Sequence, residues 1–143
     1  MSYELTVFIP AFNEEANLEY CVKVVHTTLQ ALGVRSEILI VDDASTDRTA
    51  RLADALAAAD PDIQVAHHER NGGIGQAFLT AVRLARGEWM ILIPADLALD
   101  PSELHRYLES AAGADIVVGL RSNRSDYTWA RTLEDLYLVE GLK

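Results

Sequence analysis

Phe8-Ile-Pro-Ala-Phe-Asn-Glu-Glu15, Ile40-Val-Asp-Asp-Ala-Ser-Thr-Asp47, Arg70-Asn-Gly-Gly-Ile-Gly-Gln-Ala77 and Ile91-Leu-Ile-Pro-Ala-Asp96 decide the fold of this chain. Each follows or closes a short apolar run with the length of a buried strand. The first three run straight into helical patterns. Polar groups are therefore expected to gather at the carboxyl ends of several parallel strands, where open α/β sheets bind ligands. The residues gathered there suit a nucleotide-type ligand.

The same alternation extends along the chain. Leu5 to Pro10 reads as a first strand. Leu18, Val22, Val25, Leu29 and Leu32 then recur at helical steps, and Gly33 is placed to end that helix in a left-handed conformation. Glu37 to Val41 is a second strand. Ser45 is a candidate cap for the next helix, which Asp60-Pro61 stops. Ile63 to Ala66 is a third strand. A helix after Gly75 carries Phe78, Ala81, Val82 and Ala85 inward, and Gly87 closes it. Glu88 to Ile93 is a fourth strand. Asp100-Pro-Ser-Glu103 has the pattern of a capped helix start. Ala114 to Gly119 is a fifth strand. This order predicts an α/β fold with a mostly parallel sheet and helices on both faces. Residues 1–120 are read as a nucleotide-sugar-binding α/β domain. Residues 121–143 are read as a basic segment and a short amphipathic C-terminal helix of the same domain.

Composition limits the functions open to such a domain. The 143 residues suffice for one self-supporting core. A formal net charge of −10 disfavours non-specific binding to nucleic acid or anionic lipid. An anionic ligand would then need a metal ion, helix N-termini or clustered arginines. The single cysteine, Cys21, lies in a helical pattern and reads as a buried spectator thiol. With neither a signal-peptide pattern nor a run of membrane-spanning length, a cytoplasmic location is expected. Peripheral contact with a membrane through a partner stays open.

Each motif has a plainer reading beside the chemical one. Asp42-Asp43 can bind a metal, a base or a ribose, and equally can shape a turn. A phosphate-receiver domain also carries adjacent acids, but at the end of its first strand, not its second. Asn71-Gly-Gly-Ile-Gly75 resembles a dinucleotide loop, yet follows the third strand, where the dinucleotide fingerprint follows the first. Asn13 could cap the first helix. Arg121, Arg124 and Arg131 can fork phosphate oxygens or be solvated. The histidines at 26, 67, 68 and 105 lack metal-ligand spacing and read as structural or exposed.

Taken in order, the four segments resemble glycosyltransferase family two, the inverting nucleotide-sugar enzymes of GT-A fold, nearest the polyprenyl-phosphate sugar transferase branch. The resemblance runs from about Leu5 to Arg131. It implies that Pro10, Phe12, Asn13 and Glu14 flank the base and ribose, with Asp42 and Asp43 binding them. Asn71, Gly73 and Gly75 would lie under the nucleotide. Asp96 would be the second acid of an Asp-x-Asp metal site for Mg²⁺ or Mn²⁺, and so a catalytic and metal-binding residue. Arg121 and Arg131 would serve the phosphates. The donor would be a UDP- or GDP-linked sugar, and the acceptor a polyprenyl phosphate. A phosphate acceptor is already ionised, so no general base is required.

Three features depart from the family pattern. The first acid of Asp-x-Asp is Pro94 here, and the position two after Asp96 is Ala98. The chain also stops soon after Arg131, where relatives continue with amphipathic or membrane helices. Metal dependence is accordingly expected to be weak. The alternative to an active transferase is a nucleotide-sugar-binding module that is catalytically impaired or depends on a partner. A pyrophosphorylase-like nucleotidyltransferase fits less well, because the loop after the first strand is neither glycine-rich nor basic. Leu133, Leu136, Tyr137 and Leu142 form an apolar stripe with an acidic opposite face. That stripe is expected to cap the exposed acceptor side of the domain or to pair in a homodimer, and not to bind lipid on its own; a membrane-protein partner is a separate expectation.

Overall fold

A computed structural model describes residues 2–119 and the backbone of residues 138–140. The order is β1 (Tyr3–Ala11), α1 (Leu18–Leu32), β2 (Ser36–Asp42), α2 (Thr49–Ala59), β3 (Ile63–His67), α3 (Gly73–Leu84) and β4 (Gly87–Leu92). A single 3₁₀ turn (Pro101–Glu103), α4 (Leu104–Ala111), β5 (Ile116–Val117) and β6 (Leu138–Glu140) follow. The sheet order is β3-β2-β1-β4-β6-β5. The four strands β3, β2, β1 and β4 are mutually parallel. β6 runs antiparallel to both β4 and β5. The expected mostly parallel sheet is therefore present.

Strands covered on both faces read as continuous apolar runs. In β1, Leu5, Val7, Ile9 and Ala11 face a core built with α1, α2 and α4. Phe8 faces the other way, into a smaller core with Leu39, Val41, Met90 and α3. Phe8 meets Phe78 of α3 edge to face, with ring centroids 6.4 Å apart. Full burial of a side chain of this size contributes about 1.5–3 kcal/mol. α1 buries Leu18, Cys21, Val22, Val25 and Leu29 along one stripe. It ends at Gly33, whose φ of 66° lets its N–H turn back to the carbonyls of Leu29 and Gln30.

Several local expectations change. Ser45 does not cap α2. The N-cap is Arg48, and Asp47 just before it accepts from Thr49 N–H. Nor does Asn13 cap α1, which starts five residues later. α3 starts at Gly73, ahead of the expected start after Gly75, and ends at Leu84, so Gly87 opens β4 instead of closing the helix. A Cβ on Gly87 would lie 2.5 Å from the Thr6 backbone nitrogen. Close strand approach, not helix termination, explains that glycine. Finally, Leu138–Glu140 pair with β4 as a strand, where a helix was expected. Apolar spacing over so short a run does not separate helix from strand, and β4 offers an edge to complete. Arg121, Arg124, Arg131 and the rest of the expected C-terminal helix lie outside the described residues.

Candidate nucleotide-sugar site

The chain builds β1, β2 and β3 in one direction and then returns to place β4 on the far side of β1. The carboxyl ends of β1 and β4 thus flank a topological switch point, the usual ligand crevice of such sheets. A cleft of about 470 Å³ opens at this end. Its lining includes Pro10, Phe12, Glu14, Asp43, Asn71 and Gly73, six of the residues the sequence singled out, together with Ile74. Phe12 and Ile74 are 46% and 59% exposed, so apolar surface is offered to a ligand there. The volume is in the range that small-molecule ligands fill. Another concavity, of about 290 Å³, lies among Tyr3, His26, Arg35 and Asp60 at the amino end of β2 and carries none of the motifs.

Adjacent acids point to opposite faces of the sheet. Asp42, only 3% exposed, accepts from Ser45 N–H at 3.1 Å and contacts His67 Nδ1 at 3.0 Å. The other ring nitrogen of His67 lies 2.8 Å from Asp54 of α2. Those two carboxylates, Asp42 foremost, raise the His67 pKa above its ordinary value. Asp43 turns toward α3. Its Oδ1 accepts from Gly72 N–H at 2.9 Å and lies 2.6 Å from His68 Nδ1, and its Oδ2 accepts from Gly73 N–H at 2.7 Å. Burial opposes ionisation of Asp43. The bonds from Gly72, His68 and Gly73 outweigh it, so the carboxyl sits below the usual carboxylate range. Asp42 thus bonds within the fold and does not line the cleft, while Asp43 joins the glycine turn to the cleft wall.

Asn13 is likewise drawn away from the cleft. Its Oδ1 accepts from Thr46 N–H at 2.8 Å, and its own N–H donates to Ser45 Oγ at 2.9 Å. Glu14 N–H donates to Thr49 Oγ1, and Glu15 Oε2 accepts from Arg48. These bonds clasp the loop after β1 to the loop after β2. Gly75 lies in the first turn of α3, outside the cleft lining.

Asp96 follows β4 and is exposed; its Oδ1 accepts from Ala98 N–H at 3.0 Å. Its charge and that of Glu14 both act on Cys21. Burial first, then those two carboxylates, push the thiol up to about 12, which makes it the spectator expected. Among the described residues no three acidic, histidine or cysteine side chains form a metal-holding group. One carboxylate still fits Mg²⁺, which is commonly held by one or two carboxylates plus the substrate's own phosphates.

His67, His68 and Thr80 were not singled out as site residues. The signal was present: two histidines end β3 as two aspartates end β2, and parallel pairing sets His67 opposite Asp42.

The fold is that of an α/β protein with a cleft at the carboxyl ends of its parallel strands. The chain belongs to glycosyl transferase family 2, whose model matches residues 6–141. It is 40% identical over 129 residues to an undecaprenyl-phosphate 4-deoxy-4-formamido-L-arabinose transferase of Pseudomonas paraeruginosa, covering 89% of this chain and 38% of that protein. Identity is 41% over 120 residues to a polyprenol monophosphomannose synthase of Mycolicibacterium smegmatis, covering 80% and 44%. The chain thus spans roughly two fifths of the length of these relatives. In fold it is similar to the mannosyltransferase PcManGT from Pyrobaculum calidifontis, solved in complex with GDP-Man and Mn²⁺. The TM-score is 0.75 at 21% identity, covering 98% of this chain and 45% of that one. No described helix is long and apolar enough to cross a membrane.

Proposed function

We propose that this chain is the donor-binding part of an inverting glycosyltransferase that uses a UDP- or GDP-linked sugar and a polyprenyl phosphate acceptor. The observation that carries the reading is the cleft at the carboxyl ends of β1 and β2. There Asp43, the Asn71–Gly73 turn and exposed Phe12 meet. The acceptor class rests on the two relatives, both of which are named for polyprenyl carriers.

An acceptor phosphate oxygen attacks the anomeric carbon while the bond to the nucleoside diphosphate breaks. Asp96 would share a Mg²⁺ or Mn²⁺ ion with the diphosphate, and the ion would offset the charge developing on the leaving group. Arg121 and Arg131 are proposed, from sequence, to do the same by hydrogen bonding. With Pro94 and Ala98 beside a single acid, the arginines carry more of that work than the metal. Peripheral attachment to a membrane through a partner or a homodimer would bring the lipid acceptor to the cleft.

Calorimetric titration of UDP-, GDP- and dTDP-sugars, with and without Mg²⁺ or Mn²⁺, tests the donor. Saturation at 100 times Kd should stabilise the fold by about 2.7 kcal/mol. Binding of none of the three rejects the reading. Arg121→Ala should weaken donor binding more than chelating the metal does, and the reverse order would restore an ordinary metal site.

A further inference from the structure

Asp43 receives three donors and has room for a fourth. His68 and Gly72 N–H occupy Oδ1, while Gly73 N–H takes one position on Oδ2. An ionised carboxylate accepts at about four lone-pair sites. The remaining site is on Oδ2, in a residue that lines the cleft. Asp42 cannot replace it, because its side chain leaves on the opposite face toward Ser45 N–H and His67 and does not line the cleft.

His68 does not line the cleft. Its side chain is 14% exposed, and the residue is held at three points, two of them on the ring. Nδ1 faces Asp43, Nε2 lies 2.8 Å from Thr80 Oγ1 on α3, and its backbone N–H donates to the Asp42 carbonyl at 2.9 Å. Opposite a carboxylate, Nδ1 must carry the proton. Thr80 therefore fixes the ring, the ring fixes Asp43, and Asp43 fixes the two glycine amides.

We propose that His68 is a positioning residue for donor recognition. Backed by Thr80, it holds the Asp43 carboxylate and the Gly72–Gly73 turn so that the last Oδ2 lone pair accepts an N–H or O–H of the nucleoside. This rests on the nucleotide-sugar reading above. Any effect of His68 on the ligand passes through Asp43, so it should appear as affinity and selectivity for the nucleoside half of the donor.

The test is titration of UDP and GDP into the full chain and into His68→Leu, His68→Asn and Thr80→Val. Asparagine keeps an N–H near the Nδ1 position and gives up the reach to Thr80. His68→Leu should weaken binding about tenfold or more, His68→Asn should restore most of it, and Thr80→Val should cost roughly threefold. In nucleotide-free protein, NMR exchange of the Gly72 and Gly73 amides should quicken in His68→Leu and stay slow in His68→Asn. A packing role alone would make His68→Asn as weak as His68→Leu, since it loses both ring volume and the Thr80 bond. Equal affinities across the series, with the unmodified chain binding, overturn the proposal and leave the nucleotide reading standing. An unmodified chain that binds neither UDP nor GDP removes that reading and the ligand half of this proposal. The exchange rates still decide the positioning half.

Discussion

The two ends of the sheet treat a buried carboxylate differently. At the amino end, Glu37 is fully buried and receives four donors. Thr6 Oγ1 and Arg86 N–H reach Oε1, while Gln64 Nε2 and Arg86 Nε reach Oε2. Arg86 also stacks 4.8 Å over Tyr3. Every lone pair is used, and the residue lines neither of the two concavities described above. At the carboxyl end, Asp43 is buried nearly as well but receives three donors and borders a cavity. A closed carboxylate ties strands together; an open one has bonding capacity left for a ligand.

Backbone strain divides in the same way. The positive-φ residues that are not glycine, among those described, are Asn13, Ala44 and Leu97. They follow β1, β2 and β4 at the carboxyl end, and Gly73 does so after β3 with a φ of 78°. Left-handed backbone costs an ordinary residue about 1–2 kcal/mol. Such costs persist where surrounding structure enforces them, commonly at binding sites. Here the clasp between Asn13 and Ser45–Thr46 supplies that enforcement.

The largest effect should come from the closed end. Glu37→Ala strands the Thr6 hydroxyl, Gln64 and Arg86 and should cost about 3 kcal/mol of stability, the low end for a broken buried pair because Arg86 reaches solvent. Urea denaturation measures it. Nucleotide affinity of the folded fraction should be unchanged, and a parallel loss would erase the contrast between the ends.

The neighbouring acids sharpen it next. Asp43→Ala should weaken donor binding by about 1.5–3 kcal/mol, the range for a charge-assisted hydrogen bond. Asp42→Ala should instead lower stability by about 1–3 kcal/mol and spare the affinity. Titration and denaturation of both variants read the two effects separately. Equal losses of affinity would show that Asp42 leaves its partners to meet the ligand.

Ala44→Gly should be smaller and opposite in sign. Relief of the left-handed strain exceeds the added freedom of the unfolded chain, so stability should rise by about 0.5–1 kcal/mol. A thermal melt that moves downward would mean that Ala44 is not strained.

The smallest effect concerns pH. His67 has a folded pKa raised by Asp42 and Asp54 above its ordinary 6.5. The folded state therefore holds the proton more tightly than the unfolded one. The stability it contributes is full below about pH 6.5 and is lost as pH rises through the folded value. Denaturation between pH 6 and 8.5 should show a decline that His67→Gln lacks. Asp43 shifts the other way: its contribution is present above the ordinary 3.8 and fades as pH falls through its lower folded value.

Much of this was legible in the chain. The apolar runs of β1, β2 and β4 and the stripe of α1 fixed the α/β class, because burial on both faces leaves only continuous hydrophobic strands. Motifs at strand ends placed the site, since parallel strands deliver all their carboxyl ends to one edge. Helix starts were less legible. Ser45 is a good cap residue by type, but its hydroxyl accepts from Asn13 N–H in the loop clasp, and α2 starts later, with Arg48 at its N-cap. The strand at Leu138–Glu140 depended on a vacant β4 edge that no local pattern encodes.

Sequence by itself determined that Asp42 and Asp43 end a buried strand and that a glycine turn ends the next. Their division of labour was decided only by tertiary structure. The side chains of consecutive strand residues leave on opposite faces. Asp42 therefore meets His67 and α2, and Asp43 meets His68, the glycine amides and α3. Which of two identical acids borders the cleft depends on which face of the sheet its side chain leaves from, and that is a property of the packed fold.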